Sequence, residues 1–195
     1  FINFLFMTCF HVNIKLYHPS ILKFIAYNPT DLNNNNTPII INEAVQHETL
    51  EKNIGFERIN NNYPKLDDTK KLIILYGIAE GMSYLHSNNI IHCDLNPNSI
   101  FLDINYYPKI SGFENSIELP QKRPISRIKG QINYCAPEVF NDLEYSKSSD
   151  VYSFSLLMYE IMNDKKPFSG IENPAKLIQS IKKGERPQNN PTIPD

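Results

Sequence analysis

The first part of the chain alternates short apolar runs with polar, turn-rich stretches. The runs over 21–27 and 38–45 are too short for helices and rich in Ile, so each predicts a β-strand. The stretch 28–37 between them is rich in Asn, which tolerates turn geometry. The pattern therefore predicts a hairpin with a long loop. Further short buried strands are predicted at 90–91, 100–102 and 108–110.

Helical spacing begins after residue 66. Over 67–86, apolar residues recur every three or four positions, at Leu72, Leu75, Tyr76, Ala79, Met82 and Leu85. The start of this helix can be capped by Asp67, Asp68 or Thr69. This is the strongest helix prediction in the sequence.

Two further helices are predicted near the end of the chain. The stretch 150–162 is nearly all apolar, which predicts a helix at the centre of the core. The stretch 173–183 predicts a third, shorter helix, while 55–65 is polar and irregular. A small sheet followed by helices indicates an α+β fold.

Composition and charge narrow the possible functions. With 195 residues, 41% apolar and 21% charged, the chain is globular rather than disordered. A net charge of −2 gives no preference for nucleic acid or a membrane surface. The segment 1–10 is apolar but short and lacks a basic leader, which favours a buried helix or strand over a targeting segment.

The three cysteines, Cys9, Cys93 and Cys135, are odd in number and widely separated. They show no metal-ligand spacing, and they do not favour a disulfide framework. The cysteines therefore favour a reducing compartment, and we expect a cytoplasmic protein.

Five motifs follow one another in a fixed order along most of the chain. The segment 90–100 reads IIHCDLNPNSI, and 108–116 reads PKISGFENS. Ala-Pro-Glu follows at 136–138, Ser-Asp-Val-Tyr-Ser-Phe at 149–154, and Gly-Glu-Arg-Pro at 184–187. The ordered set resembles the catalytic loop and later landmarks of eukaryotic protein kinases, within the tyrosine-kinase-like group.

The resemblance implies a kinase-like α+β fold. Residues 1–45 would be a remnant of the N-lobe with two strands, and 46–195 a mostly helical C-lobe lacking its last helices. The chain begins with Phe1, which suggests a fragment. Because a two-stranded sheet is marginal alone, we expect independent folding to be in doubt.

The resemblance also implies candidate site residues. Asp94 stands at the position of the catalytic base, and its alternative role is to hold the loop through hydrogen bonds. Glu43 and Val45 stand at the hinge and would offer backbone groups to adenine, after Asn42 at the gatekeeper position. The alternative interpretation is that these residues simply form the end of a strand.

The implied magnesium ligands are missing. The family's loop Asn falls on Ser99, a poorer ligand for a hard cation, and its metal-binding Asp falls on Gly112. Glu114 lies two residues further on and is interpreted as a solvated surface residue. We therefore expect no metal site and no cofactor, with ATP and magnesium kept as the weaker alternative.

Other positions of the resemblance point to structural roles. Cys93 replaces the loop Arg and is interpreted as a small buried filler. The loop Lys is Asn96, and Gln131 replaces a hydroxyl that steadies the loop. His92 and Phe113 match residues of an internal apolar column, and Asp150 is expected to hydrogen-bond the backbone of the His92 loop.

The favoured hypothesis is a catalytically impaired, kinase-like domain, a pseudokinase that acts in signalling by binding other proteins. The first alternative is a serine/threonine protein kinase that transfers phosphate from ATP and has its N-lobe upstream of this chain. The second alternative is a non-functional gene fragment. Neither nucleic acid nor a membrane is expected as a partner.

Overall fold

The computed structural model describes residues 10–31, 33, 35, 37–54, 64–120 and 127–188. Their strands are β1 (Phe24–Asn28), β2 (Ile39–Asn42), β3 (His47–Thr49), β4 (Ile90–Ile91), β5 (Ile100–Leu102), β6 (Pro108–Ile110) and β7 (Ile117–Glu118). Their helices are α1 (Leu50–Asn53), α2 (Asp68–Ser87), α3 (Pro137–Asp142), α4 (Lys147–Asn163) and α5 (Pro174–Lys182). Residues 10–13 are also helical. The predicted α+β class is confirmed.

The predicted hairpin is present as an antiparallel pair of β1 and β2. Phe24 lies opposite Asn42, and Ala26 lies opposite Ile41, with a register shift between the two pairs. The hairpin forms a two-stranded sheet in the part of the chain that the structure describes. This is the partial N-lobe that the sequence predicts.

The described residues also form two further small sheets. Strands β3, β5 and β6 pair in that order, and β4 pairs with β7. The predicted strands at 90–91, 100–102 and 108–110 are confirmed. Strands β3 and β7 were not predicted because their sequences, His-Glu-Thr and Ile-Glu, contain no apolar run.

Helix α2 begins one residue after its cap. The carboxylate of Asp67 accepts a hydrogen bond from the backbone N–H of Lys70 at 2.8 Å, which satisfies one free donor of the first turn. Ile74, Ile78 and Leu85 are fully buried, and the helix packs against β6. The predicted helix is therefore confirmed, with its buried face on these residues.

Part of the predicted apolar stripe on α2 faces outward. The side chains of Leu72 and Tyr76 are 62% and 70% exposed. Periodicity detects them because the helix is apolar on two sides, and only tertiary packing selects the side that enters the core.

Helix α4 begins with a reciprocal capping box between Ser146 and Ser149. Leu157 and Ile161 are fully buried, which agrees with the predicted central helix. Val151 is 59% exposed, however, so this helix is not enclosed on all sides in the described residues.

The predicted third helix is α5, capped by Asn173, whose side chain accepts from the N–H groups of Ala175 and Lys176. Leu177 and Ile181 supply its buried face. The predictions for segment 1–9 and for most of 55–65 lie outside the described residues. None of the helices described is long and apolar enough to cross a membrane.

Candidate functional site

The buried carboxylate of Asp150 anchors the backbone of the loop that follows β4. Asp150, at the start of α4, accepts the backbone N–H of His92 at 2.8 Å and of Cys93 at 3.0 Å. The Nε2 atom of His86 on α2 lies 2.9 Å from the same carboxylate. The predicted bond between Asp150 and this loop is confirmed, and the loop is tied to two helices.

The ring of His92 connects the loop to the strand that precedes Gly112. Its Nε2 donates to the carbonyl of Ser111 at 2.8 Å, and its Nδ1 accepts the N–H of Asp94 at 3.2 Å. The ring also packs against Phe113, with ring centroids 5.4 Å apart. These contacts join the loop to the strand, and the contact between His92 and Phe113 agrees with the predicted apolar column.

Both carboxylate oxygens of Asp94 accept hydrogen bonds from protein amides. Oδ1 accepts from Nδ2 of Asn96 at 2.7 Å and from the backbone N–H of Gln131 at 3.2 Å. Oδ2 accepts from Nδ2 of Asn115 at 3.1 Å. Burial raises the pKa of Asp94, against the lowering effects of His92 and of these amide donors. Asp94 therefore connects three segments of the chain.

The hydroxyl of Ser99 forms hydrogen bonds within the short turn that ends at this residue. Its hydroxyl donates to the carbonyl of Asn96 at 2.8 Å and accepts the N–H of Asn96 at 3.1 Å. The Asn96 side chain in turn accepts from the N–H of Asn98 at 2.9 Å. The buried hydroxyl of Ser99 thus serves the backbone of the loop.

Gly112 has a left-handed backbone, with φ at 80°. A Cβ atom placed there would lie 3.2 Å from Cβ of Ser99 and 3.8 Å from Oε2 of Glu114. Glu114 is exposed, as the sequence predicts, but its carboxylate lies close to the space above Gly112. The glycine therefore packs closely against Ser99, and a side chain at position 112 requires Ser99 to shift by a few tenths of an ångström.

The segment before Ala136 binds the loop through Gln131. Besides its backbone bond to Asp94, the Gln131 side chain donates to Oδ1 of Asn96 at 3.1 Å. The loop is therefore still steadied at this position, by an amide in place of the hydroxyl that the resemblance implies.

Lys129 adds a second tie between the same segments. Its ammonium donates to the carbonyl of Asn115 at 2.8 Å, and Tyr145 donates its hydroxyl proton to the carbonyl of Lys129 at 2.9 Å. Burial lowers the pKa of Lys129. The segment is thus fixed on both sides of Gly130.

The two described cysteines are buried and unpaired. Burial raises the pKa of Cys93 well above its ordinary value and that of Cys135 to about 12. Because the thiolate is the reactive form, both thiols are inert at neutral pH. The interpretation of Cys93 as a buried filler is confirmed.

The hinge residues lie at the end of β2. The N–H of Glu43 donates to the carbonyl of Lys23 at 2.9 Å, and its carboxylate lies 3.3 Å from the ammonium of Lys109. Val45 follows outside the strand and is half-buried. Oδ1 of Asn42 is buried without a hydrogen-bond partner among the described residues. These contacts leave the adenine-binding prediction untested.

A buried acid joins α4 to the segment before Ala136. The hydroxyl of Tyr134 donates to the carboxylate of Glu160. Burial raises the pKa of Glu160 to about 7, and the bond from Tyr134 offsets only part of that effect. Sequence reasoning missed this pair because a Glu within an apolar helix gives no periodic signal.

The residues at the site do not fit a magnesium ion. The hydroxyl of Ser99 is used by the loop backbone, and Gly112 provides no side-chain oxygen. Across the described segments, no group of three His, Cys, Asp or Glu side chains converges as a metal site would require. No catalytic step through a bound metal follows from these residues.

Comparison with known proteins identifies the domain. The family model described as protein tyrosine and serine/threonine kinase matches residues 5–195. A putative serine/threonine-protein kinase/receptor of Acanthamoeba polyphaga mimivirus is 30% identical over 179 residues, which are 89% of this chain and 10% of the relative. The probable serine/threonine-protein kinase gdt4 of Dictyostelium discoideum is 30% identical over 184 residues, with 89% and 10% covered.

Receptor-interacting serine/threonine-protein kinase 2 of Bos taurus is 32% identical over 139 residues, which are 66% of this chain and 26% of the relative. The chain therefore spans about a tenth of the first two relatives and about a quarter of the third. The ordered motifs, the helical lobe and the matched family model agree. The chain belongs to the protein tyrosine and serine/threonine kinase family.

Proposed function

We propose that this kinase-like domain is impaired in phosphoryl transfer and acts by binding other proteins. The observation that carries the proposal is the engagement of Asp94. Both of its oxygens accept from amides of the protein, at distances of 2.7 to 3.2 Å. Three of the roughly four acceptor positions of this carboxylate are therefore taken by protein amides, so it holds the loop together and leaves one position, on Oδ2, for a substrate hydroxyl.

The metal positions support the same proposal. Phosphoryl transfer depends on electrostatic stabilisation of the moving phosphate, and magnesium supplies much of it. Gly112 has no side-chain oxygen, and the hydroxyl of Ser99 is buried and already donates to and accepts from the backbone of Asn96. The competing proposal, an active serine/threonine kinase, would need ligands from other residues.

The proposed class is a pseudokinase of the tyrosine-kinase-like group that works in the cytoplasm. The buried, inert thiols Cys93 and Cys135 suit a reducing compartment. Fold alone does not assign a function, so the binding role rests on the altered site.

Restoring the metal ligands tests the proposal. In a Ser99→Asn background, we expect Gly112→Asp to make ATP binding depend on magnesium, with affinity at least about tenfold higher when the ion is present. Aspartate is among the side chains that tolerate a left-handed backbone, so the change is compatible with φ at 80°. The measurement is calorimetric titration of ATP with and without magnesium.

Gly112→Asn in the same background is the matched control. It has the same shape and backbone requirement but lacks the charge, so it should bind ATP without a magnesium effect. If the unaltered chain already shows the tenfold magnesium effect, the proposed loss of the metal site is wrong. Equal behaviour of the Asp and Asn variants would also contradict it.

A further inference from the structure

The outward side of α2 forms the floor of an apolar groove of about 570 Å³. Leu72, Ile73 and Tyr76 line it from the helix. Pro19 closes one side, and Tyr107, from the turn between β5 and β6, closes another. A volume of this size is typical of a binding site for several side chains.

The groove follows one stripe of the helix. From Thr69 to Glu80 the lining residues recur at helical spacing, over a distance of about 16 Å along the axis. Leu72 and Tyr76 are the residues that the sequence pattern assigns to the core and the structure leaves exposed. A helix with apolar stripes on two opposite sides typically packs one stripe into its own core and the other against a second partner.

The charge at one end of the groove indicates what that partner carries. Glu80 is exposed, and its carboxylate accepts the hydroxyl of Tyr76, which raises the pKa of Tyr76. Among the described residues, no Lys or Arg forms an ion pair with Glu80. The end of an apolar groove therefore presents a carboxylate without a cation.

The same charge argues against a symmetric dimer in which this groove meets the same groove of a second copy. The described residues that line the groove include no Lys or Arg, so they would offer Glu80 of another copy no cation if the same faces met. A partner with its own cation is electrostatically complementary, and a self-pair of this face is not.

We propose that the groove on α2 binds an amphipathic helix of a partner protein, with apolar side chains on Leu72 and Tyr76 and a Lys or Arg beside Glu80. Such a helix spans the three turns of the stripe and buries its apolar face, as in other helix-in-groove complexes. The inference rests on the proposed binding role and names a surface for it, away from Asp94.

Designed peptides about 15 residues long test the groove directly. One peptide carries Leu on a single helical face and Lys at both ends, and its twin carries Glu at both ends. Fluorescence anisotropy at low salt should show the Lys peptide binding the chain about fivefold more tightly than the Glu peptide. Glu80→Lys should reverse that preference.

Leu72→Gln should weaken binding of the Lys peptide about tenfold or more, because it removes an apolar contact of the groove. Val151→Gln, at an exposed apolar position on α4 outside the groove, is the matched control and should bind as the unaltered chain does. No binding, or equal binding of the two peptides, would overturn the inference. So would a dimer of the chain, detected by sedimentation, that Leu72→Gln dissociates. These outcomes concern the groove alone, since the ATP titrations test the catalytic proposal separately.

Discussion

Asp150→Ala is expected to lower the free energy of unfolding by about 3–5 kcal/mol, a large part of the stability of a domain of this size. The carboxylate is 1% exposed and serves the N–H groups of His92 and Cys93 as well as the ring of His86. Removing it leaves buried donors without partners, and each such donor costs about 1–3 kcal/mol. Chemical denaturation followed by circular dichroism measures the change.

Graded substitution separates this role of Asp150 from a general packing effect. Asp150→Asn keeps one acceptor oxygen, so its loss of stability should fall between those of the unaltered chain and the Ala variant. Asp142→Ala, at an exposed carboxylate near the end of α3, is the control and should change the unfolding free energy by less than about 0.5 kcal/mol. Equal stability of Asp150→Ala and Asp142→Ala would show that Asp150 does not anchor the loop.

Glu160→Gln is expected to stabilise the chain at pH 8 and to leave its stability unchanged near pH 4. The folded state raises the pKa of Glu160 to about 7, whereas the unfolded value lies near 4.5. Between these values the folded state binds a proton that the unfolded state releases, so stability falls as pH rises. The group is buried, and the shift corresponds to about 3 kcal/mol lost by pH 8.

The Gln variant isolates this effect because its amide oxygen still accepts from Tyr134 but does not titrate. Other charges near Glu160, namely Glu51, Lys166 and Asp164, remain in both proteins. The difference in unfolding free energy between the two proteins, measured from pH 4 to pH 8, should grow to about 3 kcal/mol. A constant difference over that range would mean that Glu160 is ionised throughout in the fold.

The regular elements were predictable from the sequence where they were long enough to show a period. Helix α2 and helix α5 were placed to within one residue at each end. Helix α4 begins three residues before its prediction because Lys147, Ser148 and Ser149 are polar, and the capping box of Ser146 sets the start.

The contacts of the site were less predictable because they join distant parts of the chain. The bond between Asp150 and the loop followed from the family resemblance. The donors to Asp94 did not, since Asn115 lies 21 residues away and Gln131 lies 37 residues away. The sequence indicated that the family's metal-binding Asp and Asn are replaced by Gly112 and Ser99. The structure shows that neighbouring amides donate hydrogen bonds to the remaining carboxylate, that of Asp94.

Thermal unfolding of the chain with ATP, with and without magnesium, tests the central claim most directly. The account predicts that magnesium adds no stabilisation to that given by ATP alone, and that no phosphate is transferred to a protein substrate. Magnesium-dependent stabilisation by ATP, together with phosphate transfer that Asp94→Asn abolishes, would contradict it. That result would make Asp94 a working catalytic base and the domain an active kinase.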